Sequence, residues 1–191
     1  MNIVLSILIP SVPERLACLS RMIEQLSLQT TGLPVEILVI LDNKKSTIGT
    51  KRNTLIAQAK GTYIVFVDDD DRLEPHYVHT LCAQIEAEPN ADCIVFDVAV
   101  YFNGRFNKLC KYGIEYSFGE GHTSYYRKPN HIMCYAKRIA EQHKFRDISF
   151  GEDDEWGGRV SKDIVNQVRI PSVLYHYDCD LTKPMSWYST S

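Results

Sequence analysis

Four consecutive aspartates, Asp68 to Asp71, follow directly on the apolar run "TYIVFV" at 62–67. Like charges at the mouth of a buried strand repel one another, and each loses hydration if it is even partly buried. Carboxylates in that place can hold a hard divalent cation, which in turn bridges phosphate oxygens. The plainer reading is a solvated acidic turn entering a helix, because acidic residues favour helix N-termini. Placement after an apolar strand in a βαβ setting favours the cation.

Three further groups carry chemistry. Lys51 and Arg52 in "GTKRN", 49–53, begin a helix, where cations and N-terminal amides can meet a diphosphate together. Asp42 can accept a hydrogen bond from a nucleobase ring nitrogen, although these charges taken alone read as an amphipathic surface. "FGEDDEW", 150–156, offers carboxylates flanked by Phe150 and Trp156. A general base there should ionise below the working pH yet still take a hydroxyl proton as attack proceeds. It also reads as an acidic helix start. His176 in "YHYD" reads as a packed residue between tyrosines, and neutral imidazole is equally a common metal ligand.

Charge distribution supports local acidic sites. The net charge is −3 over 191 residues. Without Asp68–Asp71 and Glu152–Glu155 the remainder would carry about +5. Basic residues are dispersed and lack a stacking motif, which argues against a nucleic-acid partner. Six cysteines, Cys18, Cys82, Cys93, Cys110, Cys134 and Cys179, form no CxxC pair and fit no zinc spacing. They are expected to be reduced. No apolar run reaches the length of a membrane span, and Pro10 interrupts the first one, so a cytoplasmic protein is expected.

The elements that must position these residues are legible in outline. "NIVLSILI", 2–9, and "VEILVIL", 35–41, read as buried strands. Ser11 and Glu14 make a capping-box pattern with Pro13 in the first turn, and Leu16, Leu19, Met22, Ile23 and Leu26 recur at helical spacing. "TKRNTLIAQA" predicts a helix stopped by Gly61, and Pro75 opens another, "HYVHTLCAQIEAE". Asn103-Gly104 predicts a hairpin between "DCIVFDVAVYF" and "RFNKLCKY". Residues 113–130 read as a functional loop, and "YAKRIAEQHKF" as a helix. "DEWGGRVSKD" reads as a short helix weakened by Gly157-Gly158, "SVLYHYD" as a late strand, and the tail from Leu181 as a mobile end or lid. Strand–helix alternation implies an α/β fold with a mostly parallel sheet, helices on both faces, and ligands outside the strands' carboxyl ends. Neither GxGxxG nor a Walker A sequence is present.

The ordered set "SILIPSVPERLACLSRMIEQL", "EILVILDN", "GTKRNTLIAQAKGTYIVFVDDDDRLEP" and "FGEDDEW" resembles a family 2 glycosyltransferase with the GT-A fold, over about residues 3 to 177. The resemblance implies one catalytic domain, 1–191, with a nucleotide-sugar half to 100, an acceptor and base half at 101–180, and a tail. It implies that Pro10, Ser11 and Glu14 line the nucleotide pocket, that Asp42 reads uracil, and that Arg52 with Lys51 holds the nucleotide. Asp68, Asp69 and Asp70 correspond to the DxD signature. Asp70 is then the direct ligand of Mn²⁺ or Mg²⁺, Asp68 or Asp69 lies near the ribose, Asp68 is the next ligand, and His176 completes the site. Asp71 matches the aspartate that often follows.

Asp153 corresponds to the base, with Asp154 its rival and Glu152 its neighbour. Two departures stand out: "SVP" replaces the usual "TYN", and the aspartate run leaves the register open by one residue. The implied reaction is inverting transfer from a nucleotide-diphosphate sugar to a glycan or other hydroxyl. The aromatic residues of 112–126 and Trp156 read as candidate sugar platforms and equally as ordinary packing. A pyrophosphorylase would need a Gly-rich loop that "IPSVPERL" lacks, and a non-catalytic relative should have lost the base or the ligands.

Overall fold

The computed structural model describes residues 2–182. The chain begins β1 (Leu5–Ser11), a 3-10 turn (Pro13–Arg15), α1 (Leu16–Thr30), β2 (Val35–Leu41), α2 (Ile48–Gln58) and β3 (Tyr63–Phe66). It continues through β4 (Arg72–Leu73), α3 (Tyr77–Ala87), β5 (Cys93–Phe102), β6 (Arg105–Tyr112), β7 (Gly119–Glu120) and β8 (Ser124–Arg127). Last come β9 (Cys134–Ala136), α4 (Lys137–Ala140), α5 (Glu152–Val160) and β10 (Gln167–Cys179).

The strands form one sheet in the order β2-β1-β3-β9-β5-β6-β8-β7, with β10 pairing β5 and β4. β1 runs parallel to β2 and to β3, with Ser11 opposite Leu41 and Leu8 opposite Phe66. Their carboxyl ends therefore share one edge of the sheet, and Ser11, Asp42 and Asp68 are delivered there together. β5 and β10 are also parallel, whereas β9 is antiparallel to both β3 and β5. Because β2 and β3 lie on opposite sides of β1, right-handed crossovers put α1 and α2 on opposite faces. Accordingly α1 packs with α3, and α2 with α5.

The apolar runs behave as their composition dictates. Leu5, Ile7, Leu8 and Ile9 are fully buried, as are Val65, Val95 and Phe96. β2 is the exception: as an edge strand it is only half-buried, with one face of its ladder unpaired. The hairpin forms at Asn103 and Gly104, both at positive φ (49° and 76°), the geometry that favours this pair. All six cysteines are free. Among the described residues no helix is long and apolar enough to cross a membrane.

Three local expectations are corrected. Ser11 is the last residue of β1 and does not cap α1, which starts after Arg15 without a side-chain cap. Gly61 does not end α2, which stops at Gln58. Its hydrogen is needed because a Cβ there would lie 2.6 Å from the Ser6 amide nitrogen. The helix expected over 135–145 shrinks to the four residues of α4, because Cys134–Ala136 pair with β3 and β5. The expected tail falls mainly on residues 183–191, outside the described residues.

Candidate active site

The four aspartates leave β3 in a turn and divide among three sets of partners. Asp68 accepts from the Arg52 guanidinium at 3.3 Å and meets His131 Nε2 at 3.3 Å. Burial alone would raise its carboxyl; His131 and Arg52 outweigh that and hold it well below the usual carboxylate range. Asp69, almost fully buried, accepts from the Ser11 hydroxyl and pairs with Arg15 at 2.5 Å. Burial, with repulsion from Asp70 and Asp68, pushes it up to about 6 despite Arg15 and Ser11. Asp70 shares the same Arg15 nitrogen. Asp71 accepts from the Tyr175 hydroxyl at 2.7 Å and from the Asp178 amide at 2.9 Å. Burial, then the charges of Asp68 and Asp70, raise it well above the ordinary value.

The nucleotide-side residues expected from sequence also meet at this edge. Lys51 is 2% exposed, pairs with Asp42 and donates to the Ser11 carbonyl at 3.0 Å. Asp42 accepts further hydrogen bonds from the Ser46 amide at 2.9 Å and the Lys44 amide at 3.3 Å. Burial opposes its ionisation, and those donors still draw it below its usual value. Pro10 lies beside them in β1, and exposed Glu14 pairs with Lys44 at 3.4 Å. Lys51 and Arg52 are thus internal struts of the edge and not a surface patch.

The second acidic run is set by α5. Gly151, at φ 74°, makes the left-handed turn that starts the helix. The preceding loop is stapled to the start of α2. Thr47 and Thr50 both donate to Asp147, at 2.5 and 2.6 Å, and the Gly49 amide donates to the Ile148 carbonyl at 3.1 Å. A Cβ on Gly49 would come within 1.8 Å of the Arg146 carbonyl oxygen, so only glycine admits this contact.

Glu152 is buried and accepts from Arg52 Nε at 3.3 Å. Asp153 lies 3.4 Å from His131 Nδ1. Asp154 is exposed, and its carboxyl is raised by burial of its inner part and by Asp153. Glu155 turns to Arg159 at 2.5 Å.

Arg52 therefore joins the two runs. Its guanidinium lies over the rings of Phe66 (4.9 Å) and Phe145 (5.7 Å), and its Nη1 has no hydrogen-bond partner among the described residues. Two expected residues are placed elsewhere. His176 meets Glu74 at 2.8 Å and packs on Tyr101, and among the described residues no group of three or more His, Cys, Asp or Glu is arranged to hold a metal ion. The expected Asp68–Asp70–His176 triad is not assembled. Trp156 is wholly buried, stacked on Phe145 at 4.6 Å with its indole N–H on the His143 carbonyl, so it offers no sugar platform.

Two residues of the site were not singled out from sequence: Arg15 and His131. Arg15 had a faint signal, a cation four residues after Ser11 in "SVPER". His131 had only its position in "KPNHIM", just before an apolar strand.

Acidic and basic groups are gathered at the carboxyl edge of parallel strands, the place where ligands bind in open α/β sheets. The model of the family described as "Glycosyl transferase family 2" matches residues 43–149, more than half of the chain, and the chain belongs to that family. Its fold is the GT-A fold of the similar solved structures. S. aureus TarS 1–349 in complex with UDP-GlcNAc superposes with a TM-score of 0.61 at 14% identity, over 96% of this chain and 61% of that one. TarS 1–349 in complex with UDP gives 0.60 at 14% identity over 93% and 61%. The chain spans about three fifths of the length of these TarS 1–349 structures. No curated protein matches it in sequence.

Proposed function

We propose that the chain transfers a sugar from a nucleotide-diphosphate donor, a UDP-sugar, to an acceptor hydroxyl with inversion. The observation that carries this reading is the approach of the two acidic runs. Asp153 and Asp68 face opposite nitrogens of one imidazole, at 3.4 and 3.3 Å, in a chain of glycosyl transferase family 2. UDP-GlcNAc and UDP bound to the similar TarS structures support uridine as the nucleotide. Asp42, fixed by Lys51 and two amides, is the group that accepts from the base; Ser11 and Glu14 connect to it through Lys51 and Lys44, and Pro10 precedes Ser11 in β1.

In this mechanism Asp153 takes the proton of the acceptor hydroxyl as its oxygen attacks the anomeric carbon. The new C–O bond forms opposite the breaking bond to the diphosphate, and the nucleoside diphosphate leaves. Orientation supplies much of the rate, because a base placed within hydrogen-bond reach turns a bimolecular proton transfer into a local one. Asp154, raised and outward, is the weaker candidate.

The donor set fits a divalent cation at Asp69 and Asp70. Both carboxylates already converge on one cationic nitrogen of Arg15, and Mg²⁺ or Mn²⁺ commonly takes one or two carboxylates with substrate phosphates. Asp68, engaged by Arg52 and His131, is less suited than sequence suggested. When bound, such an ion neutralises charge on the departing diphosphate.

A thermal-shift panel of UDP-, GDP- and TDP-sugars, with and without Mn²⁺, tests the reading. A UDP-sugar should stabilise the chain, by about 2.7 kcal/mol at a hundredfold excess over Kd. Indifference to every nucleotide sugar would contradict it.

A further inference from the structure

We infer that His131 is a positioning residue for the base, holding Asp153 against Asp68 through the two nitrogens of one ring. The inference rests on the proposed transferase reading for its kinetic consequence, but its geometry stands alone. The His131 side chain is 6% exposed. Nε2 is 3.3 Å from Asp68 and Nδ1 is 3.4 Å from Asp153. Nδ1 makes no hydrogen bond among the described residues, so its 3.4 Å approach to Asp153 is an ion-pair contact of a buried polar atom that has no competing partner.

The surrounding structure fixes the ring and brings α5 to it. The His131 carbonyl accepts from the Phe66 amide at 3.4 Å, and the ring packs edge-on to Phe66 at 6.3 Å. Asn130 accepts from the Ile132 amide through its side chain and from the Met133 amide through its carbonyl. On α5, Gly157 stands one turn after Asp153 and so shares its face. A Cβ on Gly157 would lie 2.8 Å from the Pro129 carbonyl oxygen and 3.3 Å from the Asn130 Cα. Glycine at 157 therefore lets the helix touch the backbone just before His131, which carries Asp153 to the ring. A glycine that looks like a helix-weakening residue in sequence becomes the reason for the close approach.

The two nitrogens allow an atom-specific test. The amide of Asn resembles the Nδ1 side of the ring, and that of Gln the Nε2 side. H131N should keep the contact to Asp153, while H131Q and H131A should lose it. UDP release from a UDP-sugar should then fall on the order of 10²-fold in kcat for H131Q and H131A, with KM and UDP affinity unchanged, and stay close to wild type in H131N. Equal losses in H131N and H131A, or a loss confined to KM, would overturn the role.

Ring-nitrogen NMR on the whole chain supplies a readout independent of turnover. D153N should move the His131 Nδ1 signal and leave the fold intact. An unmoved signal would overturn the inference whatever the activity. A wild-type chain that releases no UDP from any UDP-sugar would instead overturn the proposed function, leaving this NMR result to decide the contact.

Discussion

The two acidic runs, Asp68–Asp71 and Glu152–Glu155, have the same length and nearly the same composition, yet they solve their charge repulsion differently. The first leaves a strand in a turn, which splays neighbouring side chains. Three of its members are matched to separate partners: Asp68 to Arg52 and His131, Asp69 to Arg15 and Ser11, Asp71 to Tyr175. The second lies on a helix, which rotates successive residues by about 100°. Glu152 turns inward to Arg52, Asp153 sideways to His131, Asp154 outward, and Glu155 back to Arg159. The strand-end run, with Asp69 and Asp71 buried and its carboxyls tied to cations and hydroxyls, is suited to holding charge. The helical run leaves Asp153, partly exposed and facing only a histidine among the described residues, suited to moving a proton. Arg52 and His131 are the only two side chains among the described contacts that touch both runs.

Removing Arg52 should break the comparison most severely. R52A leaves Glu152 buried without its counter-charge and strips one cation from Asp68, a loss of about 3–5 kcal/mol by urea denaturation. A loss within about 0.5 kcal/mol, the size of an ordinary surface change, would mean the runs are held together by something else.

Asp69 should come next. Its carboxyl is pushed up to about 6 from 3.8, so the folded state holds the proton more tightly than the unfolded chain does. That stability is complete below about pH 4 and is lost as pH rises through 6, to the extent of roughly 3 kcal/mol. D69N should flatten that fall, leaving the parts due to Asp71, Asp97 and Asp154, which shift in the same direction. An unchanged slope would contradict the burial assigned to Asp69.

A smaller effect concerns the cation at Asp69 and Asp70. Arg15 stands on both carboxylates and must yield if a divalent ion is to use them. R15A should therefore bind Mn²⁺ more tightly by calorimetry, roughly tenfold, the worth of one charge-assisted contact. Weaker binding in R15A would show that Arg15 is not a competitor for the site. The smallest effect is expected at Asp154: D154N should leave both stability and turnover close to wild type, because that side chain faces solvent.

Much of the fold was legible because long apolar runs and turn signals are local. β1, β3, α2, α3 and the Asn103-Gly104 hairpin follow from periodicity and turn chemistry alone. The failures are long-range. Residues 135–145 carry a helical pattern, but pairing with β3 and β5 claims the first two of them and leaves a single turn of helix. Ser11 has the chemistry of a cap, but the strand runs through it and its hydroxyl goes to Asp69, 58 residues away.

The acidic runs themselves were readable, since four adjacent carboxylates demand an explanation wherever they occur. Their partners were not. His131 is a lone histidine whose meaning comes from Asp68 and Asp153, which lie far from it in sequence. Trp156 shows the reverse error, since an aromatic beside an acidic motif suggests a sugar platform until its stacking on Phe145 puts it in the core.

The central claim is that the helical run supplies the base while the strand-end run and its neighbours hold the donor. It is tested most directly by comparing UDP release from a UDP-sugar in wild type, D153N and D154N, with UDP affinity measured in each. The account predicts a fall of about 10²–10⁴-fold in turnover for D153N, an unchanged UDP affinity, and near-wild-type turnover for D154N. Full turnover in D153N, or a loss of UDP affinity that accounts for its entire defect, would contradict it.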